Sequence, residues 1–181
     1  MLKFAALFGA SLLALLAGLA LWIDSQSTPD LAKSKLAEAA TASPGAIYSA
    51  KYVGSDGASV SLGRWSDKLL VLNFWATWCA PCQEEIPEFI QAQEIYRDKG
   101  LVLIGIAVDQ PDRVASFSRD FGINYPVVVG ELDAFSLAEA MGNPQGALPF
   151  TVILNRAGEI VYSHLGRIKI EEIEKIIKPL L

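Results

Sequence analysis

Hydrophobic residues along the second half of the chain form runs of strand length separated by helical patterns. The segments "KLLVLNFWA" (68–76) and "LVLIGIAV" (101–108) are continuous apolar runs, which are typical of strands covered on both faces. Residues 81–99 between them carry apolar positions at helical spacing, namely Ile86, Phe89, Ile90 and Ile95. This order of strand, helix and strand predicts a right-handed crossover that joins two parallel strands.

The flanking patterns predict the rest of the sheet and its covering helices. "YSAKYVGSDGASVSL" alternates around a Ser-Asp-Gly turn at 55–57, as a hairpin does, and "PFTVILNRAGEIVYSHLG" predicts a second hairpin that turns at 155–158. "PDRVASFSRDFG" and "DAFSLAEAMG" predict two short helices with the strand "YPVVVG" between them, and "KIEEIEKIIKPLL" predicts a closing amphipathic helix. The expected fold class is α/β, with a mixed central sheet and helices on both sides.

The N-terminal run "FAALFGASLLALLAGLALWI", from Phe4 to Ile23, carries no charge. A helix of that length spans about 30 Å, the thickness of a bilayer's hydrocarbon core. We expect an uncleaved signal anchor, because the best cleavage candidate ends at Ala20, inside the apolar run. A cleaved signal peptide and a buried soluble helix are the two alternatives.

Charges around this run suggest its orientation. Lys3 precedes it, whereas Asp24 and Asp30 follow it, which weakly favours an N-terminus in the cytoplasm and the rest of the chain outside. Residues 24–45 are rich in Ala, Ser and Thr and have few large apolar side chains to bury, so they predict a tether. The expected organisation is therefore an anchor at 1–23, a tether at 24–45 and one folded domain at 46–181.

Composition narrows the class of function. The chain has 181 residues, a formal net charge of -5 and only two cysteines. Its Lys and Arg residues are scattered, so the sequence offers no basic footprint for nucleic acid, and we expect no DNA or RNA partner. Two cysteines do not make a secreted disulfide framework, and their presence calls for an explanation by reactivity.

Both cysteines lie in "FWATWCAPCQEEIP" (74–87), as Cys79 and Cys82. A structural zinc site needs four ligands, and the chain adds only His164, far along the sequence. Covalent haem attachment needs a His where Gln83 stands. Two inert core thiols remain an alternative, but a pair that flanks Pro81 at a helix start meets free backbone N–H groups, which favour a thiolate.

The predicted helix separates the roles of the two cysteines. Cys79 lies at or just before the first turn, where its sulfur can reach solvent, whereas Cys82 lies one turn further in and faces the core. We therefore expect Cys79 to attack first and Cys82 to resolve the mixed disulfide. This redox-active pair is expected to work without any other cofactor and without a metal.

The motifs "NFWATWCAPCQEEIP" and, some seventy residues later, "GALPFTVIL" resemble the thioredoxin superfamily. Within it, residues 46–181 resemble the TlpA/ResA/CcmG group of membrane-anchored or exported thiol-disulfide oxidoreductases. The resemblance implies a thioredoxin-like fold, a cis peptide bond before Pro149 and an active site facing the periplasm or cell exterior from the cytoplasmic membrane. It also implies a disulfide reductase, as in cytochrome c maturation, reset by a membrane electron donor of the DsbD/CcdA type.

The motif departs from ordinary thioredoxins at one position. Those proteins carry a buried acid six residues before the first cysteine, where this chain has Asn73, an amide that cannot take a proton. The TlpA/ResA/CcmG group keeps a glutamate three residues after the second cysteine, which is Glu85 here. A carboxylate partly desolvated beside Cys82 would have a raised pKa that suits proton exchange with a thiol. The alternative is that Glu85 is solvated, like its neighbour Glu84.

Substrate contacts are predicted around the pair. Pro149 matches the family's cis-proline, which blocks metal capture and exposes the backbone of Leu148 for a substrate strand; a proline that merely begins an edge strand is the alternative. We also assign Trp78, Ala80 and Pro81 to the substrate-binding surface. His164 is predicted at the surface of the second hairpin.

A copper metallochaperone is the rival interpretation from another class. Two thiolates suit Cu(I), but copper-delivery relatives have a wider cysteine spacing and a well-placed histidine. A peroxidase is disfavoured because the chain lacks that class's Pro-x-x-x-Thr-x-x-Cys arrangement. The expected substrate is a disulfide-bearing extracytoplasmic protein, which could be an apocytochrome c, a copper-site assembly factor or a broader set.

Overall fold

The computed structural model describes residues 44–49, 51–54 and 57–181. Its strands are β1 Lys51–Gly54, β2 Ser59–Ser61, β3 Leu69–Trp75, β4 Leu101–Ala107, β5 Val127–Val129, β6 Phe150–Leu154 and β7 Ile160–Leu165. Its helices are α1 Pro44–Ser49, α2 Ala80–Tyr96, α3 Pro111–Asp120, α4 Glu131–Ala140 and α5 Ile170–Ile177. Short 3-10 turns follow β2, α2 and α5, at Leu62–Trp65, Arg97–Lys99 and Lys178–Leu180.

All seven strands form one mixed sheet in the order β2-β1-β5-β4-β3-β6-β7. The central strands β3, β4 and β5 run parallel, and β6 and β7 continue the sheet antiparallel on the other side of β3. The register of β3 with β6 pairs Asn73 with Thr151 and Phe74 with Phe150. Both predicted hairpins and the predicted parallel crossover are therefore confirmed.

The sheet is covered on both faces, since every residue of the central strand β3 is buried. Its alternate side chains divide between two cores: Val71 and Trp75 pack towards α2, α3 and α5, whereas Leu72 and Phe74 pack towards α1 and α4. A continuous apolar run thus serves two cores at once. This arrangement confirms the α/β, thioredoxin-like fold with a mixed central sheet.

Local details differ from the sequence-based prediction. The short helix α1 occupies a stretch that the pattern assigned to the end of the tether and the first strand, because Ile47 is fully buried in the core beneath it. On α2 the apolar spacing does not follow the buried face throughout: Ile95 is 43% exposed, whereas Gln93 and Tyr96 are buried. Tyr96 belongs to the core on the α2 face of the sheet, and its hydroxyl donates to Glu174 Oε1 on α5 at 2.5 Å.

The N-terminal segment predicted to span a membrane lies outside the described residues, as does nearly all of the predicted tether. Among the residues that the structure does describe, none of the helices has the length and apolar character needed to cross a bilayer.

Candidate active site

The two cysteines lie where the chain leaves the central strand β3 and begins α2, and they form a disulfide. Cys79 is the N-cap residue, with extended backbone angles, and its carbonyl accepts the first helical hydrogen bond, from Gln83 N at 3.1 Å. Pro81 in the first turn suits a helix start because no intrahelical N–H is lost there. Cys79 retains 6% of its surface and Cys82 none, so the first cysteine is the more accessible one.

Hydrogen bonds from neighbouring elements fix the loop before Cys79. Both the backbone N–H and the hydroxyl of Thr77 donate to Asp109 Oδ2, just beyond the end of β4. Gln83 Nε2 donates back to Thr77 O at 2.6 Å. The parallel pairing of β3 and β4 explains this contact, because the carboxyl ends of adjacent parallel strands meet at one edge of the sheet.

Glu85 is fully buried one helical turn beyond Cys82, and both of its carboxylate oxygens accept hydrogen bonds. Asn73 Nδ2 donates to Oε1 at 2.7 Å, and the backbone N–H of Ile168 donates to Oε2 at 3.1 Å. Residues three apart on a helix are neighbours, so the carboxyl group lies close to the inner cysteine. The alternative of a solvated Glu85 is excluded, whereas Glu84 is exposed and pairs with Arg167 at 3.1 Å.

Burial raises the pKa of the Glu85 carboxyl from its ordinary 4.5 to about 7. The hydrogen bonds from Asn73 and Ile168 and the charge of Arg167 act in the opposite direction, because each favours the ionised form. The same carboxylate adds to the effect of burial in raising the pKa of Tyr125, which lies just before β5. A carboxyl group in this state can change its protonation near neutral pH.

The peptide bond between Leu148 and Pro149 is cis, as the resemblance implies. Pro149 is buried and its carbonyl accepts from Gly166 N at 2.8 Å, which ties it to the loop after β7. Leu148 is half-buried, and within the described part of the chain its backbone forms no hydrogen bond. Asn143 fixes the preceding loop, because its side-chain amide both donates to Ala147 O and accepts from Ala147 N.

The remaining residues assigned to substrate contact are exposed around the disulfide. Trp78 has 64% of its surface exposed, and Ala80 and Pro81 are exposed as well. His164 lies half-buried on β7, with Nε2 3.3 Å from Arg167 O. In the part of the chain that the structure describes, no three His, Cys, Asp or Glu side chains are grouped so as to hold a metal ion.

Three polar groups that support the site were missed by sequence reasoning. They are the side chains of Asp109 and Thr151 and the backbone N–H of Ile168, which reach the site from other elements. Only Asp109 had a usable signal, since it directly follows a predicted strand that neighbours β3. The others depend on strand register or loop course, which single-sequence patterns do not specify.

A disulfide at the start of the helix after the central strand, in a thioredoxin-like fold with a cis-proline loop, defines the class of thiol-disulfide oxidoreductases. The family model described as Redoxin matches residues 29–177, and the chain belongs to that family. It is a protein thiol-disulfide oxidoreductase that uses a cysteine pair.

Two curated relatives and two solved structures illustrate the similarity. The thiol-disulfide oxidoreductase ResA of Halalkalibacterium halodurans is 30% identical over 132 residues, covering 68% of this chain and 70% of the relative. ResA of Bacillus subtilis is 28% identical over 133 residues, covering 69% and 70%.

Among solved structures, a DsbF homologue from Corynebacterium diphtheriae superposes with a TM-score of 0.66 at 28% identity, covering 74% of this chain and 85% of that one. A thiol:disulfide interchange protein from Chlorobium tepidum gives 0.65 at 27% identity, covering 74% and 94%. These comparisons confirm the predicted resemblance to the ResA group within the thioredoxin superfamily.

Proposed function

We propose that the chain is a membrane-tethered disulfide reductase that acts outside the cytoplasm, in cytochrome c maturation or related thiol maintenance. The observation that carries the reducing chemistry is the buried Glu85 carboxyl one turn beyond Cys82, with a pKa near neutrality. Such a group can take the proton of a buried thiol and release it again. No cofactor other than the cysteine pair takes part.

The reaction begins from the reduced pair. The Cys79 thiolate attacks one sulfur of a substrate disulfide, forms a mixed disulfide and expels the first substrate thiolate. Cys82 loses its proton to the Glu85 carboxylate, and its thiolate attacks the Cys79 sulfur, which expels the second substrate thiolate. Two electrons pass to the substrate, and the enzyme is left with the Cys79–Cys82 disulfide seen in the structure.

A disulfide-bearing extracytoplasmic protein is the proposed substrate, bound over the exposed side of the pair. Trp78, Ala80 and Pro81 offer exposed surface there, and the backbone of Leu148, beside the buried Pro149, makes no hydrogen bond to any described residue. An extended substrate segment can pair with such a backbone while its disulfide lies over Cys79. A membrane electron donor of the DsbD/CcdA type would then return two electrons to the enzyme disulfide.

Tethering to the cytoplasmic membrane, with the catalytic domain facing the periplasm or cell exterior, is supported by the uncharged run Phe4–Ile23. Protease protection tests it. In intact spheroplasts of a bacterial host, a membrane-bound domain on the outer side is digested, whereas a cytoplasmic domain resists. Recovery of the chain in the soluble cytoplasmic fraction would contradict this part of the proposal.

Trapping of a mixed disulfide tests the proposed thiol-disulfide exchange. The Cys82→Ser chain, reduced and mixed with insulin as the disulfide substrate, should accumulate a mixed disulfide on Cys79, because the resolving thiol is missing. The matched Cys79→Ser chain should accumulate none, since its remaining thiol is the fully buried one. The unsubstituted chain should reduce insulin with turnover when a thiol reductant is supplied.

Metal analysis separates the enzyme from the copper-binding interpretation. The reduced protein is purified with Cu(I) present and then assayed for bound copper and for insulin reduction. Turnover with no retained copper supports the reductase, whereas retained copper without turnover would contradict it.

A further inference from the structure

The hydrogen bonds around Glu85 suit only one of its two protonation states. Asn73 Nδ2 donates both to Glu85 Oε1 and to Thr151 Oγ1, at 2.7 and 3.2 Å. The other atom of the same amide, Asn73 Oδ1, is buried and has no hydrogen-bond partner among the residues that the structure describes. This orientation satisfies an ionised carboxylate, which accepts from two donors and has no proton of its own to place.

A neutral Glu85 needs a different arrangement. The backbone N–H of Ile168 can only donate, and the carbonyl oxygen of a carboxylic acid accepts a hydrogen bond better than its hydroxyl oxygen does, so the proton of the neutral acid is best placed on Oε1. There the new O–H would point at the N–H of Asn73 Nδ2, and two donors would face each other in a fully buried site. Two buried donors that face each other destabilise this arrangement, because each has given up water and gained no acceptor.

We propose that Asn73 is a positioning residue whose side-chain amide turns by half a rotation each time Glu85 gains or loses its proton. After the turn, Oδ1 occupies the present place of Nδ2 and accepts from Glu85 Oε1–H. The Thr151 hydroxyl, which now accepts from Nδ2, reverses its role and donates to Oδ1, because a hydroxyl can do either. The amide oxygen and nitrogen are nearly equal in size, so the turn needs no repacking.

The proposal rests on the proposed proton transfer between Cys82 and Glu85, and it explains why an amide fits where ordinary thioredoxins have an acid. Asn73 cannot hold the proton itself, but it can offer a donor to the carboxylate and an acceptor to the acid. Each state of Glu85 therefore keeps a hydrogen bond at Oε1. After the turn, Nδ2 occupies the present position of Oδ1, where no described residue offers it a hydrogen-bond partner, and this opposes the turn.

Other charged and titratable groups face Glu85 from three directions, and among the described residues only Asn73 donates to Oε1. Arg167, in the loop after β7, favours the ionised form through its charge, while pairing with Glu84. Tyr125 faces it from the segment before β5, and its buried hydroxyl has no hydrogen-bond partner in the described part of the chain. Along α2 itself, Cys82 is held in the disulfide.

Nuclear magnetic resonance of the oxidised full-length chain tests the proposal, because the disulfide leaves no thiol to titrate. The carboxyl carbon of Glu85 and the side-chain amide of Asn73 are followed by isotope labelling from about pH 5 to pH 9. At high pH we expect a through-hydrogen-bond coupling between Asn73 Nδ2 and the Glu85 carboxyl carbon, and contacts from the amide protons to the Thr151 methyl group. Both signals should disappear at low pH with the same midpoint as the Glu85 carboxyl shift.

The Glu85→Gln chain is the matched control, because its side chain imitates the neutral acid. Gln can accept from Ile168 with its oxygen and donate to Asn73 Oδ1 with its nitrogen, so the Asn73 amide should stay in the low-pH orientation at every pH. Amide contacts with Thr151 that persist through the Glu85 titration would overturn the proposal, as would a Glu85 carboxyl that does not titrate in this range. Failure of insulin trapping would instead refute the proposed reaction and leave the amide result standing.

Discussion

Replacing Glu85 by Gln should make the oxidised protein more resistant to unfolding at alkaline pH. The folded chain holds the Glu85 proton up to a pKa of about 7, whereas an unfolded chain releases it near 4.5. Between these values the folded state binds more protons than the unfolded state, so stability falls as pH rises. The contribution from Glu85 is fully present below pH 4.5 and is lost as pH rises through 7.

The size of the effect follows from the two pKa values. Each pH unit between them corresponds to about 1.4 kcal/mol. The whole interval, from 4.5 to about 7, therefore amounts to roughly 3 kcal/mol of unfolding free energy. A Gln at position 85 has no proton to lose, so the variant should escape this decline.

Urea unfolding of the oxidised protein, measured at pH 4, 6 and 8.5, provides the assay. The difference in unfolding free energy between the Glu85→Gln chain and the unsubstituted chain should grow by roughly 3 kcal/mol from the lowest to the highest pH. Glu84→Gln is the matched control: it removes an exposed ion pair worth at most about 1 kcal/mol and leaves Glu85 in place. Parallel pH profiles for the Glu85→Gln and unsubstituted chains would refute the assignment of a raised pKa to this carboxyl.

Two further predictions concern the substrate side of the disulfide. Trp78→Ala should change the unfolding free energy by no more than about 0.5 kcal/mol, because Trp78 is largely exposed. In the Cys82→Ser background it should slow mixed-disulfide formation with insulin. Equal trapping rates with and without the substitution would remove Trp78 from the binding surface. Asn143→Ala deletes both hydrogen bonds that fix Ala147, so it should lower the free energy of unfolding, measured in urea, by about 1–3 kcal/mol. It should also raise KM for insulin more than it lowers kcat. A change in kcat alone would show that the loop before Leu148 does not position substrate.

Sequence patterns predict the core elements of this fold because their periodicity is imposed by local geometry. β3 and β4 are apolar at nearly every position, which only a strand covered on both faces explains. Helix α1 was missed because six residues beginning with Pro carry too little periodicity, and the burial of Ile47 depends on a core built from distant strands. Tyr96 likewise packs into a core that includes α5, where its hydroxyl donates to Glu174, 78 residues away.

The residues of the candidate site also fall into those that a local pattern predicts and those that depend on distant parts of the chain. Cys79, Cys82 and Glu85 share one short motif on one helix start, so local spacing places them together. The partners of Glu85 come from β3 and from the loop before α5, and the Thr151 partner of Asn73 depends on the register of β3 with β6. Register is decided by the whole sheet, which explains why the motif predicts the acid but not the network that holds it.

In the proposed reaction, an acid on α2 rather than on β3 changes which contacts act on the inner thiol. Glu85 and Cys82 move together because they share a helix, so their separation is fixed by helical geometry. The contacts that set the pKa of Glu85 come instead from Asn73 on the sheet and from Ile168 in the loop before α5. Any shift of α2 against the sheet would therefore alter the proton affinity of Glu85 without separating it from Cys82.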